Sequence, residues 1–290
     1  MEGTFKARLT ENDIDDGNGF TVEQFTGRPS SETPGDVGLC FSGGGSRALS
    51  AGMGQLRALA HLQLNGRSLL SSTKAISTVS GGSWLGVTFT YLTEGTADAD
   101  FLNRFVSDPG RLVPQPTAGH PPSEVLSELP SGNIGERVNK NFTLVDLAIE
   151  ALALWIREDT PTDFLWQALM GIHILEPYGL YSPGQRALPT SLFSADSKTL
   201  ERDVIGPNPE LGGVKAHLVA SGADRNVRPF LICNTAMFLR RPGVAFRELA
   251  PVQATPYVTG IVGRPVPGRD ANRRIPGGGG VTSFGFSSNL

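Results

Sequence analysis

Apolar residues along this chain recur at two spacings, and each switch between them marks an element. Val37-Gly38-Leu39-Cys40-Phe41 is a brief apolar run of the kind that forms a buried strand. From Ser46 the apolar positions step at three and four residues. Leu49, Gly52, Met53, Leu56, Leu59 and Ala60 then share one face of a predicted helix. The same switch follows at once: Lys74–Val79 predicts a strand and Gly82–Leu92 a helix behind it. Val37–Leu92 therefore reads as two consecutive strand–tight turn–helix units. Farther on, Thr143 and Asp146 predict a helix start, by N-cap and capping box, for a helix through Ile149, Leu152, Leu154, Trp155 and Ile156. A second apolar segment, Phe164–Met170, follows it. Both are apolar around most of their circumference, which predicts burial; a cap that opens at a lipid surface is the alternative.

Polar, glycine-rich and proline-rich stretches divide these elements. Met1–Gly35 reads as an arm over the domain surface, and Ser107–Asn139 as an inserted loop. Val214–Ala220 reads as a strand or buried segment containing His217. Gly277–Phe286 looks like the approach to another strand.

The two turns carry the chemistry. In the first, Ser42-Gly43-Gly44-Gly45-Ser46-Arg47, glycines admit positive φ and close approach, and free helix N–H groups favour negative charge. Arg47 sits in the first turn, where the helix dipole disfavours it, so a functional reason for it is plausible. A surface arginine on an ordinary βα turn is the plain alternative. No Gly-Lys-Ser/Thr follows, so this is not a Walker loop, and a dinucleotide fingerprint fits poorly. In the second turn, Thr78-Val79-Ser80-Gly81-Gly82-Ser83-Trp84, Ser80 stands at the strand–helix corner. The string matches the G-x-S-x-G nucleophile elbow except that Thr78 replaces the first glycine. The competing reading is an ordinary serine N-cap.

Together, in order and spacing, these strings resemble the catalytic core of the cytosolic phospholipase A2 and lysophospholipase family, relatives of the patatins. That pattern is S-G-G-G-x-R, then G-x-S-G-S and Trp; Thr78 and Gly82 depart from it. The resemblance implies an α/β fold, a patatin-like three-layer α/β/α sandwich with a mostly parallel central sheet and a helical cap insertion at about 107–180. It implies Ser80 as nucleophile, Gly44 and Gly45 as the oxyanion hole, Gly81 and Gly82 as the elbow, and Arg47 as a residue that steadies a substrate phosphate or the site itself. The substrate class implied is a phospholipid or lysophospholipid, met at a membrane surface, with no cofactor and no metal. Arg228–Asn234 and Thr255-Pro256-Tyr257 resemble later strands of the family.

The family's second catalytic residue is an aspartate on an Asp-Gly turn. After Ser80 no aspartate here precedes glycine. The expectation is a catalytic domain, 36–290, that stops short of that residue. Asp224 is the in-chain candidate. His217 with Asp203 or Asp196 would instead give the chain order of an α/β-hydrolase triad, although a lone histidine in an apolar strand is usually structural. His61, His120 and His173 lie in a helix, a Pro-rich loop and an apolar run. A silent lipid-binding protein that kept the fold and lost the dyad is a rival of a different class.

Composition narrows the rest. A net charge of -3 argues against a nucleic-acid partner. The arginine-rich stretch from Arg225 to Arg274 could face anionic head groups or simply water. No cationic leader with an apolar core opens the chain, and a cytoplasmic, peripherally membrane-associated protein is expected. Cys40 and Cys233, both in apolar runs, are expected to be reduced and buried.

Overall fold

A computed structural model describes residues 5–7, 9–11, 37–92, 98–102, 105, 107–108, 144–158, 160–183, 188–219, 228–239, 248–261, 279–283 and 285–286. In chain order these form β1 (Leu9–Glu11), β2 (Val37–Phe41), α1 (Gly45–His61), β3 (Gln63–Leu64), β4 (Arg67–Ser68), β5 (Thr73–Val79), α2 (Gly81–Thr90) and α3 (Asp98–Leu102). Then come α4 (Leu144–Arg157), α5 (Leu165–Met170), β6 (Ser191–Ser194), α6 (Ser197–Thr199) and β7 (Lys215–Leu218). The last strands are β8 (Phe230–Leu239), β9 (Glu248–Ala254), β10 (Val258–Ile261), β11 (Gly279–Thr282) and β12 (Gly285–Phe286).

The main sheet has seven strands in the order β1-β11-β10-β9-β8-β5-β2. β5 pairs in parallel with β2 on one side and β8 on the other. Every further step, from β8 through β9, β10 and β11 to β1, is antiparallel. Five of the seven strands thus share a direction, but only three of them are neighbours, and the sheet is mixed. Parallel neighbours need long crossovers, which α1 and the segment after α2 supply. Antiparallel neighbours admit short turns, although 17 residues separate β10 from β11. One of these is Thr255-Pro256-Tyr257, which is a turn between β9 and β10 and not a strand. Its proline has no N–H to give a ladder, and Thr255 closes the turn by donating to the Val258 carbonyl. The N-terminal segment contributes β1 to the sheet edge.

Alternation on the parallel strands decides where the core sits. Leu39, Phe41, Ile76, Thr78 and Leu231 face α1 and α2, and Phe41, Ile76, Thr78 and Leu231 are buried there. α1 presents Leu49, Gly52, Met53 and Leu56 to the same core, as its periodicity predicts. The opposite face carries Gly38, Cys40, Ala75, Ser77 and Val79, none of them buried, and Phe230 of β8, which is buried and stacked on Tyr257. The expectation of two buried cysteines is therefore corrected: Cys40 is exposed and Cys233 half-buried. An apolar run as short as five residues does not reveal that one of its faces is open.

A second correction concerns the helical segment. Leu154 of α4 and Ala168, Leu169 and Met170 of α5 join the core beside α2. A buried histidine just past α5, His173, holds α4 in place through a hydrogen bond to Glu150. Val145, Ile149, Leu152, Trp155 and Ile156 nevertheless point outward, each more than half exposed, with Trp166 beside them at 55%. Burial of all faces was expected; a helix can be apolar all round and still meet a partner on one side only.

A separate three-stranded sheet, β12-β6-β7, packs Leu192 with Leu200, Val204 and Leu211.

Candidate active site

Both turns sit at the carboxyl ends of parallel strands, where open α/β sheets place ligand sites. The first is a left-handed bend: Gly44 has φ 145° and Gly45 φ 61°, conformations that residues with a β-carbon rarely adopt. α1 starts immediately at Gly45 with no side-chain cap and no acidic residue in its first turn. Its leading N–H groups therefore lack intrahelical acceptors. Arg47 is exposed in that same turn.

Ser80 occupies the second turn with φ 52° and ψ −121°. Among the described residues, the other non-glycine at positive φ is Asn65, in an Asn-Gly hairpin turn where that is ordinary. Ser80 has no such excuse, being the last residue before a helix. An N-cap residue takes β-region angles and gives its oxygen to the N2 or N3 amide. Ser80 does neither, since its angles differ and its side chain makes no capping bond. Ser80 therefore holds the N-cap position without its side chain capping the helix. Its carbonyl does the holding instead, accepting from Ser83 N at 2.7 Å and Trp84 N at 3.3 Å. Ser80 itself is exposed.

The two turns touch through glycines. A β-carbon on Gly43 would stand 3.2 Å from Ser80 Cβ and 3.8 Å from its Oγ. One on Gly81 would collide with the Gly45 backbone, and one on Gly82 would lie 2.6 Å from the Phe41 carbonyl oxygen. Gly43, Gly44, Gly45, Ser80, Gly81 and Gly82 thus form one compact patch, with Arg47 in the turn that follows.

Beneath the corner lie two polar straps. On the open face of the sheet, Asn234 of β8 stands opposite Val79. Its Nδ2 donates to Ser77 Oγ at 2.9 Å and to the Thr78 carbonyl at 3.1 Å, while its Oδ1 accepts from Gln253 Nε2 at 3.0 Å. On the helix face, Thr78 Oγ1 and Ser83 Oγ share a hydrogen bond of 2.9 Å. The Cys233 sulfur lies 3.5 Å from Thr78 Oγ1. Burial pushes the Cys233 thiol up, against the opposing pull of its hydrogen bonds to Thr78 and Ser83. The sequence reading passed over Asn234 and Ser83. Asn234 had a signal, a single amide ending the apolar run Phe230–Cys233.

Other candidates lie elsewhere. His217 is buried on β7 in the small sheet, stacked on Phe193 with centroids 5.1 Å apart, and burial lowers its pKa. Asp203 is paired with Arg202, and Asp196 caps α6 and accepts from the Tyr257 hydroxyl at 2.9 Å. His61 ends α1 and stacks on Phe105. Asp224 and His120 lie outside the described residues, as does the Thr143 cap. Among the described residues no carboxylate or imidazole hydrogen-bonds to Ser80, and no group of His, Cys, Asp and Glu could hold a metal ion.

No family model and no curated protein matches the chain. Among solved structures it is similar to human GIVD cytosolic phospholipase A2, at 17% identity over 83% of this chain, with a TM-score of 0.35. Two complexes of that protein with methyl gamma-linolenyl fluorophosphonate, one also containing terbium chloride, give 16% and 18% identity and TM-scores of 0.31 and 0.34, again over 83% of this chain. The chain spans about a quarter of their length, 25% to 26%. At these values the likeness does not bear on the chemistry.

Proposed function

We propose that the chain is the core of a serine acyl hydrolase of the phospholipase or lysophospholipase kind, built on a patatin-like α/β sandwich. One observation carries this reading: Ser80 is held at φ 52° without its side chain capping the helix, an exposed residue beside a triple-glycine bend. Strain of this sort amounts to about 1–3 kcal/mol and persists where the surroundings over-determine it. An exposed nucleophile is what it accomplishes here.

In this reading Ser80 Oγ attacks the ester carbonyl carbon. The new O–C bond forms as the carbonyl π bond opens, and backbone N–H groups at Gly44 and Gly45 receive the oxyanion. Collapse breaks the ester C–O bond and leaves an acyl-Ser80. The serine proton passes through the dyad aspartate to the departing alkoxide. Water then enters by the same route and frees the fatty acid. Arg47 contacts the phosphate of the substrate. No cofactor takes part in these steps. The ridge from Val145 to Ile156, with Trp155 and Trp166, supports a transient encounter with a lipid surface. No described helix is long and apolar enough to cross a membrane.

A second reading, a silent lipid-binding protein of this fold, is favoured by the lack of any described carboxylate or imidazole on Ser80. Reaction of the folded chain with a fluorophosphonate probe separates the two. The enzyme reading expects one adduct, on the Ser80 peptide, lost in Ser80→Ala. An unlabelled folded chain overturns it.

A further inference from the structure

The departure of Thr78 from the elbow pattern has a structural counterpart that nothing in the motif anticipates. Thr78 is fully buried, with its side chain turned toward α2. A threonine there needs room that the glycine of the usual pattern would not. Gly86, one turn into α2, provides it. A β-carbon at Gly86 would lie 2.8 Å from Thr78 Cγ2 and 3.1 Å from Leu231 Cδ1. Ser83 lies one turn before Gly86 on the same helix face. The methyl of Thr78 thus rests on Gly86 and its hydroxyl on Ser83.

That hydrogen bond spans the corner. It joins the residue two before Ser80 to the residue three after it, from the last turn of strand to the first turn of helix. Thr78 Oγ1 also lies within reach of the Ile232 carbonyl at 3.3 Å, which ties the same hydroxyl to β8. Ser80 sits at the apex of this closed loop, in a conformation that needs outside support. On the opposite face Asn234 fixes the Thr78 carbonyl. Helix-side and open-side straps therefore meet at one residue.

We propose that Thr78 is a positioning residue for Ser80: its hydroxyl, through Ser83, fixes the corner geometry in which the Ser80 oxygen faces the glycine bend. This rests on the reading of Ser80 as the nucleophile. A structural role alone would show in stability; a positioning role shows in the reactivity of each folded molecule.

The test compares Thr78→Val, which keeps the shape and removes the hydroxyl, with Thr78→Ser, which keeps the hydroxyl. Full-length variants react with a fluorophosphonate, in which the Ser80 Oγ–P bond forms, the P–F bond breaks, fluoride leaves and the serine proton passes to solvent. Labelling is followed against probe concentration and normalised to folded protein. Thr78→Val is expected to lower the limiting rate on the order of tenfold with the half-saturating concentration unchanged, the equivalent of about 1.4 kcal/mol in the barrier. Thr78→Ser should restore at least a third of the rate. Should Thr78→Val fold poorly, Ser83→Ala removes the other half of the bond from a partly exposed position and is expected to give the same split. Equal limiting rates for wild type, Thr78→Val and Ser83→Ala would overturn the proposal while leaving Ser80 as nucleophile. A wild-type chain that folds and never labels removes the nucleophile reading, and the positioning role with it.

Discussion

The backbones of Gly81 and Gly45 meet without room for a side chain: a β-carbon at Gly81 would lie 2.7 Å from the Gly45 nitrogen and closer still to its carbonyl oxygen. Backbone on both sides of the contact means that neither partner can rotate away. Gly81→Ala must therefore part the two turns. Destabilisation of about 3 kcal/mol is expected, at the upper end for overpacking. Gly54→Ala is the control, because nothing lies within 4 Å of that position and it is exposed in α1. It should raise stability by up to about 1 kcal/mol through helix propensity. Urea unfolding checks both, with midpoints moving in opposite directions at constant slope.

Ser80 carries a conformational penalty that its replacement can release. Glycine tolerates φ 52°, whereas alanine does not. Ser80→Gly is thus expected to be more stable than Ser80→Ala by about 1 kcal/mol, with both variants unreactive toward fluorophosphonate. Equal melting temperatures for the two would mean that the corner is not strained.

How far the sequence revealed this arrangement depended on whether a feature was local. Strand Val37–Phe41, the Ser46 helix and the face bearing Leu49, Met53 and Leu56 were legible because 2.0 and 3.6 periodicities are written in neighbouring residues. Ser80 was legible as a corner because glycines follow a strand pattern. Its positive φ, and the absence of a side-chain capping bond, could not be read from the motif. Partners distant in sequence were not legible. Asn234 lies more than 150 residues from Ser77, and only the β5–β8 register brings them together. Nor could periodicity say that α4 has a partner for Leu154 and none described for Ile149, since apolarity records suitability for burial and not its occurrence.

On the open face, Asn234 ties Ser77, Thr78 and Gln253 together. Replacing it by alanine leaves the Ser77 hydroxyl, the Thr78 carbonyl and the Gln253 amide without this partner. A loss of about 1 kcal/mol is expected for Asn234→Ala, the low end for a polar group left unmatched, because the site is half-buried. Gln253→Ala should cost less, because it removes one bond. Coupling in the double mutant, read from denaturation of all four proteins, should be positive and above about 0.5 kcal/mol.

His217 gives the fold a pH dependence of defined sign. Burial, with the nearby Lys215 adding to it, lowers its pKa from 6.5, so the folded chain binds this proton less readily than the unfolded one. The stability it confers is complete above the unfolded value of 6.5 and falls as pH drops from there toward the folded pKa. Replacement by phenylalanine keeps a ring against Phe193 and removes the titration. His217→Phe should lose less stability than wild type between pH 7 and pH 5, in thermal melts at about 0.1 M salt to limit other charges. The same variant separates structure from chemistry: its rate of Ser80 labelling should match wild type, whereas a Ser–His–Asp esterase would lose it.

The outward ridge of α4 combines large apolar side chains with little net charge. Val145, Ile149, Leu152, Trp155 and Ile156 are exposed together; Asp146 and Arg157 are exposed on the same helix, while Glu150 turns inward to His173. Insertion of such a face would be driven by apolar burial and not by attraction to anionic head groups. Sedimentation with neutral phosphatidylcholine vesicles should therefore capture at least as much protein as vesicles containing phosphatidylserine. Burying one large aliphatic side chain is worth about 1.5–3 kcal/mol, so Ile149→Glu is expected to weaken vesicle binding by tenfold or more. Because Ile149 points away from the core, its replacement should leave the unfolding midpoint within about 0.5 kcal/mol of wild type. Binding that rises with phosphatidylserine and ignores Ile149→Glu would assign the encounter to basic residues elsewhere.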